Sequence, residues 1–250
     1  MRVRTFWLFV VCLAPLQAQW VNYPTAGIPR TKDGKPNLTA PAPRLAGGKP
    51  DLSGIWTVPS GKYLENLGAD GVQIPMQPWA AKLYAERQAN FGKDRPSGRC
   101  LPHSVTDFDA LFQPRKIIQT PAEIVLLFES YHSYRQIFTD GRPLPAQRDP
   151  AWFGYSVGQW DGDTLVVETV GLNEGTWLDD GGHPHSDALR ITERFHRRDF
   201  GHLDVAITID DAKTYTKPWT VTLPWEYLPD TELLDWVCEN NKDVEHLVGK

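Results

Sequence analysis

From Lys116 onward, apolar and polar residues alternate in short runs, the period of half-buried strands. Strands are predicted at Ile124 to Phe128, Tyr134 to Thr139, Gly154 to Trp160, Thr164 to Thr169, Leu189 to Phe195, Leu203 to Ile209 and Trp219 to Trp225. Turn signals separate them: Asp140-Gly141 before Arg142-Pro143, Asp161-Gly162-Asp163, Asp199-Phe200-Gly201 and Asp210-Asp211. Asp161-Gly162 is a hairpin signal because glycine accepts the positive φ of a tight turn. Upstream the pattern differs. Pro78, Trp79, Leu83 and Arg87, with Ala80, Ala81 and Ala85 between and Gly92 after, predict one helix near residues 78–91 with proline in its first turn. The expected fold class is mainly β: an antiparallel barrel or curled sheet with one helix and an extended N-terminal arm. A two-sheet sandwich fits the same spacing.

The arm carries a short repeat. Gly34-Lys35-Pro36-Asn37-Leu38-Thr39-Ala40 is echoed by Gly48-Lys49-Pro50-Asp51-Leu52-Ser53-Gly54. Two units are too few for a solenoid, and proline in each favours extended or turn conformations, either as an arm along the domain surface or as a linker. Before it, Met1-Arg2-Val3-Arg4, the apolar Phe6 to Leu16 and the small Ala18 have the layout of a secretory signal. That run is shorter than the ~20 residues of a bilayer span, and Val11 before Cys12 argues against a lipid anchor. The expected organisation is residues 1–18 as signal, 19–54 as arm and 55–245 as β domain, with a periplasmic or secreted location. Removal of Cys12 leaves Cys100 and Cys238, an even pair in an oxidising compartment, and a disulfide is the economical reading.

Composition narrows function mostly by exclusion. With 41% apolar and 23% charged residues and a formal net charge of -5, the chain has no electrostatic reason to bind nucleic acid. Arg194, His196, Arg197 and Arg198, bracketed by Glu193 and Asp199, read as a solvated strand end. No Gly-x-Ser-x-Gly elbow, P-loop or dinucleotide fingerprint is present, which argues against serine-hydrolase, nucleotide and nicotinamide chemistry.

The strings Tyr134 to Pro143, Gly154-Tyr155-Ser156-Val157-Gly158, Gly162-Asp163-Thr164-Leu165-Val166-Val167-Glu168-Thr169 and Gly182-His183-Pro184-His185-Ser186 resemble those of a family of exported bacterial proteins of no settled activity. That resemblance implies no catalytic residues. Asp51-Leu52-Ser53-Gly54-Ile55-Trp56 resembles the glycine and tryptophan entry into lipocalin-like barrels, which implies an antiparallel lipocalin-like barrel.

Two regions carry candidate chemistry. In the row Leu189, Ile191, Glu193, Phe195 every second residue shares a face, so a carboxylate stands among apolar side chains. It must be paired with an arginine such as Arg135, be hydrogen-bonded, have a raised pKa, or line a polar cavity. The segment from Thr176 to Ser186 places Trp177, Asp179, His183 and His185 in a glycine-rich loop between strands. Histidine moves protons near neutral pH and aspartate fixes its orientation. A structural loop is the plain alternative. His183 and His185 are also a conceivable divalent-metal pair needing a third ligand, although no cofactor is expected. His132, Tyr134 and Arg135 are candidates for a second polar edge of the same cavity, with Trp177 as a ligand contact.

Two function classes stay open. One is an exported, cofactor-independent lyase, isomerase or hydrolase using Asp179, His183, His185 and Glu193 in general acid-base catalysis on a small organic substrate. The other is a non-catalytic lipocalin-like binding protein for an apolar or aromatic ligand. The expected partner is a small molecule, with a homo-oligomer conceivable through the arm and neither nucleic acid nor a stable membrane anchor.

Overall fold

The computed structural model describes residues 24–102, 104–146, 149–234, 236 and 238, so the expected signal (1–18), the start at Gln19 and residues 239–245 lie outside the described residues. The chain is mainly β. Nine strands close into a barrel in chain order: β1 (Gly54–Thr57), β2 (Arg115–Gln119), β3 (Glu123–Phe128), β4 (Tyr134–Phe138), β5 (Tyr155–Asp161), β6 (Thr164–Val170), β7 (Arg190–Arg197), β8 (His202–Asp210) and β9 (Trp219–Tyr227). β1 closes onto β9 through Trp56 opposite Tyr227. The predicted strands match these spans to within about two residues at their ends. Such a barrel fits the lipocalin-like expectation.

Strand alternation fills the lumen. Ile124, Leu126, Ile137, Val167, Ile191, Phe195, Val205, Ile207, Leu223 and Trp225 are all buried there, while their sequence neighbours face outward. The same alternation carries Arg197 inward after Phe195, correcting the solvated-end reading. Its guanidinium lies 4.8 Å from the Trp56 ring and 5.0 Å from that of Phe200, and it donates to the carbonyls of Asp51 and Phe200. Arg194 and Arg198 do face solvent, in ion pairs with Asp161 and Asp204.

One seam breaks the antiparallel rule. β4 and β5 run parallel, paired only at Ile137 opposite Ser156 and Phe138 opposite Val157. Between β4 and β5 the chain returns to the same end of the barrel, the crossover that a parallel pair requires. Gly158 sits where this seam is tightest. A Cβ there would meet Ile137 at 3.0 Å and Leu165 at 3.2 Å, so a larger residue would require those side chains to give way by a few tenths of an ångström.

Among the described residues, three α-helices cover the barrel. α2 (Pro78–Ala89) is the predicted helix, with proline at its start. α1 (Lys62–Glu65) is a single turn. α3 (Val105–Ala110), too short to show a period in sequence, is buried along its whole length and ties to the barrel because Trp225 Nε1 and Arg115 both donate to the Asp109 carbonyl. Cys100 and Cys238 form a disulfide across 138 positions, with Cα atoms 5.6 Å apart. In the chain-entropy account a loop of that order stabilises by roughly 4 to 5 kcal/mol.

The two arm repeats fold alike. Thr31 N donates to Lys35 O and Asn37 N to Pro29 O in the first, and Leu45 N to Lys49 O and Asp51 N to Pro43 O in the second. Arg30 then pairs with Asp230, and Arg44 with Asp163 in the β5–β6 turn. The first repeat also accepts the amides of Phe200 and Gly201 from the β7–β8 turn. Sequence repetition thus becomes two like clasps on the outside of the barrel.

Candidate functional site

The histidine loop lies between β6 and β7 under α1 and α2, and its polar groups are spent on one another. Asp179, wholly buried, accepts from the amides of Leu67 (2.9 Å), Gly182 (3.0 Å) and His183 (3.1 Å), and His183 Nδ1 stands 2.6 Å from its Oδ2. The His183 ring stacks on Tyr84 of α2 with centroids 4.2 Å apart. His185 Nδ1 faces the Ser186 carbonyl at 3.1 Å and its Nε2 the Thr176 hydroxyl at 2.7 Å. Burial lowers the His185 pKa below that of free imidazole. Trp177 is buried beneath Arg87, whose guanidinium is 4.0 Å from its ring. Tyr215 Oη and Asp211 fix Pro184 and Ser186 from the β8–β9 side.

Glu193 belongs to a different network. It projects into the lumen and pairs with Arg135 of β4, both side chains essentially without exposure. Arg135 Nη1 donates to Glu193 Oε1 at 2.8 Å and Nη2 to Oε2; Nη2 also reaches Thr169 at 2.9 Å and Ser156 at 3.1 Å, and Nε reaches Ser156 at 3.3 Å. Burial works against the Arg135 charge, yet Glu193 outweighs it and the guanidinium pKa rises above its usual value. Removing one partner of such a pair costs ~3 to 5 kcal/mol, because the other is stranded. The hydrogen-bond partners of Glu193 and of the histidine loop do not overlap. The structure does not join them in one constellation.

His132, Tyr134 and Arg135 do come together, in a cleft where the β4–β5 seam opens. It has a volume of about 480 Å3 and is lined by His132, Tyr134, Gln136 and Phe138 on one side and Trp152, Phe153, Gly154 and Tyr155 on the other, with Arg135 and Ser156 at its base. The volume falls in the range of small-molecule sites, about 300 to 1,000 Å3. Two backbone devices shape it. His132, at the rim, and Tyr131 before it have φ of 45° and 60°, a left-handed turn that no glycine relieves; Tyr131 Oη is held by the Ser97 carbonyl at 3.1 Å and its ring packs on Trp236 at 4.9 Å. Gly154, at φ 58°, approaches the Val170 carbonyl so closely that a Cβ would stand 2.6 Å from it.

The cleft also exposes strand backbone. Ser133 O and Thr139 N both bond toward β3, so by alternation the odd residues of β4 point their amides that way and Tyr134, Gln136 and Phe138 point theirs toward β5. The seam with β5 starts at Ile137 opposite Ser156. Beyond it, the Tyr134 amide and carbonyl and the Gln136 N–H face the cleft instead of a strand.

Sequence reasoning missed the second wall, Trp152 to Ser156, although Gly154-Tyr155-Ser156-Val157-Gly158 was conspicuous as a string. Alternation from Gly158 would have placed Ser156 on the inner face beside Arg135. Among the described residues no group of three or more His, Cys, Asp or Glu side chains is arranged to hold a metal, and no helix is long and apolar enough to cross a membrane. No family model matches the chain, and no curated protein or solved structure matches it either.

Proposed function

We propose that this chain is an exported binding protein that takes a small, flat, mainly apolar ligand bearing an amide-like edge into the β4–β5 cleft. The observation that carries the reading is the cleft itself: aromatic walls of Tyr134, Phe138, Trp152, Phe153 and Tyr155 beside the open backbone edge of Tyr134 and Gln136. Aromatic faces supply apolar area and stacking, and the edge supplies one acceptor and two donors. Arg135 selects no anionic group, because its donors are committed to Glu193, Ser156 and Thr169. The Cys100–Cys238 disulfide supports the exported location. A catalytic reading would run through His132, the imidazole that lines the cleft, and not through His183 or His185, which are buried in their own loop.

Titration with naphthalene, 2-naphthoate and 2-naphthamide, followed by tryptophan fluorescence, tests the proposal. The amide is expected to bind saturably and about tenfold more tightly than the hydrocarbon, the worth of roughly 1.4 kcal/mol of backbone hydrogen bonding. Tyr155→Ala should weaken it with the fold intact. Absence of saturable binding by all three, or binding untouched by Tyr155→Ala, would overturn the reading.

A further inference from the structure

We propose that Asp109 and Glu193 form an acid–carboxylate pair that binds one proton in the barrel lumen beneath α3. Asp109 is wholly buried, and neither of its carboxyl oxygens has a hydrogen-bond partner among the described residues. The charged groups facing it are Glu193 from β7, Arg135 from β4 and Arg115 from β2. Neither arginine donates to its carboxyl oxygens. Arg135 is filled by Glu193, Ser156 and Thr169. Arg115 turns Nη1 to the Asp109 carbonyl and Nη2 to the carbonyls of Leu111 and Gln113, with its guanidinium 4.4 Å from the Trp225 ring, and its Nε has no partner among the described residues. An ionised Asp109 would therefore be a second carboxylate beside Glu193, out of water and without a hydrogen bond from either arginine.

A proton removes the conflict. Neutral Asp109 changes from acceptor to donor, and the group it faces is the carboxylate of Glu193, giving the O–H···O⁻ bond that two carboxyls sharing a site adopt. Burial first, and Glu193 second, push the Asp109 carboxyl well above the usual carboxylate range. The pair is linked to the cleft through α3: Phe108, next to Asp109, packs at 4.9 Å on Phe153, which lines the cleft. Loss of the proton as pH rises loosens α3 and with it that wall; this consequence for ligand binding rests on the function proposed above.

The sign is fixed by linkage. An acid whose folded pKa is raised contributes stability that is complete below its unfolded pKa, about 4, and is lost as pH rises from there through the folded value. Asp109→Asn keeps the shape without the proton, so its melting temperature should gain on wild type progressively above about pH 4.

Infrared spectra of the full chain carrying 13C-carboxyl aspartate test the pair without any ligand. A protonated-acid band that persists at neutral pH, moves with the label and vanishes in Asp109→Asn is expected. In Glu193→Gln the band should also be lost, as Asp109 ionises to serve the stranded Arg135. Absence of an aspartic-acid band in the labelled wild type at neutral pH, or its persistence in Glu193→Gln, would overturn the proposal. For the linked wall, 2-naphthamide affinity should fall with rising pH in wild type and not in Asp109→Asn. Parallel profiles would sever α3 from the cleft and leave the proton pair standing.

Discussion

The loop from Thr176 to Ser186 and the cleft between β4 and β5 treat their polar groups in opposite ways. In the loop, Asp179 alone satisfies three amides and meets an imidazole, and every feature that suggested chemistry is consumed in holding one conformation. In the cleft, backbone groups of Tyr134 and Gln136 are left beyond the end of a short parallel seam, between aromatic walls. Richness in titratable residues marks a region that must be held together. Unspent hydrogen-bonding capacity beside apolar surface marks a region that can receive something.

The largest expected effect breaks the loop. Asp179→Ala strands three buried amides and the His183 ring, each a hydrogen bond to a charged group worth ~1.5 to 3 kcal/mol. Allowing for relaxation, chemical denaturation should show a loss of roughly 3 to 5 kcal/mol. The 2-naphthamide affinity of the molecules that remain folded should match wild type. A stable Asp179→Ala protein with abolished binding would make the loop a site after all.

A smaller effect separates a shape-setting glycine from a merely turn-forming one. Gly154→Ala imposes the left-handed backbone penalty and drives a Cβ toward the Val170 carbonyl, for a loss of about 1 to 3 kcal/mol together with ligand affinity, since the wall from Ala151 to Tyr155 must shift. Gly162→Ala bears a similar φ of 60° with nothing near its added carbon, so it should lose only ~1 to 2 kcal/mol and no affinity. Equal affinity losses in the two variants would mean that the cleft does not depend on its own wall.

Much of the barrel was legible because alternation is a local property. The run Leu203 to Ile209 needed only its own residues to be read as a strand, and the parity of Ile191, Glu193 and Phe195 was enough to put a carboxylate inside and to name Arg135 as a partner. Carrying that parity one step further would have placed Arg197 inside as well; its charged neighbours hid it. The cleft was half legible. His132, Tyr134 and Arg135 were singled out, but the opposing wall depends on a parallel register between strands separated by residues 139–154, which no local period encodes. Asp109 was invisible for the same reason, because a six-residue helix shows no periodicity and its burial is set by strands distant in sequence.

The smallest expected effect tests whether the loop is as closed as its hydrogen bonds imply. Burial depresses the His185 pKa, so the neutral ring contributes stability that is complete above the unfolded value near 6.5 and is lost as pH falls below it. The direction is opposite to that of Asp109. The loss is tempered by the ring's neighbour. In the neutral state Nδ1–H donates to the Ser186 carbonyl and Nε2 accepts from the Thr176 hydroxyl, whereas a proton on Nε2 would require that hydroxyl to accept instead. It has somewhere to turn, because the Asn173 carbonyl lies 2.9 Å from the same oxygen. Urea midpoints between pH 8 and pH 5 should therefore decline slightly more in wild type than in His185→Gln. Thr176→Val removes both the neutral-state donor and the rotor that accommodates the charged ring, so it should lower the midpoint at every pH. Identical pH profiles for wild type and His185→Gln would show that water reaches His185, and that the loop shares some of the cleft's openness.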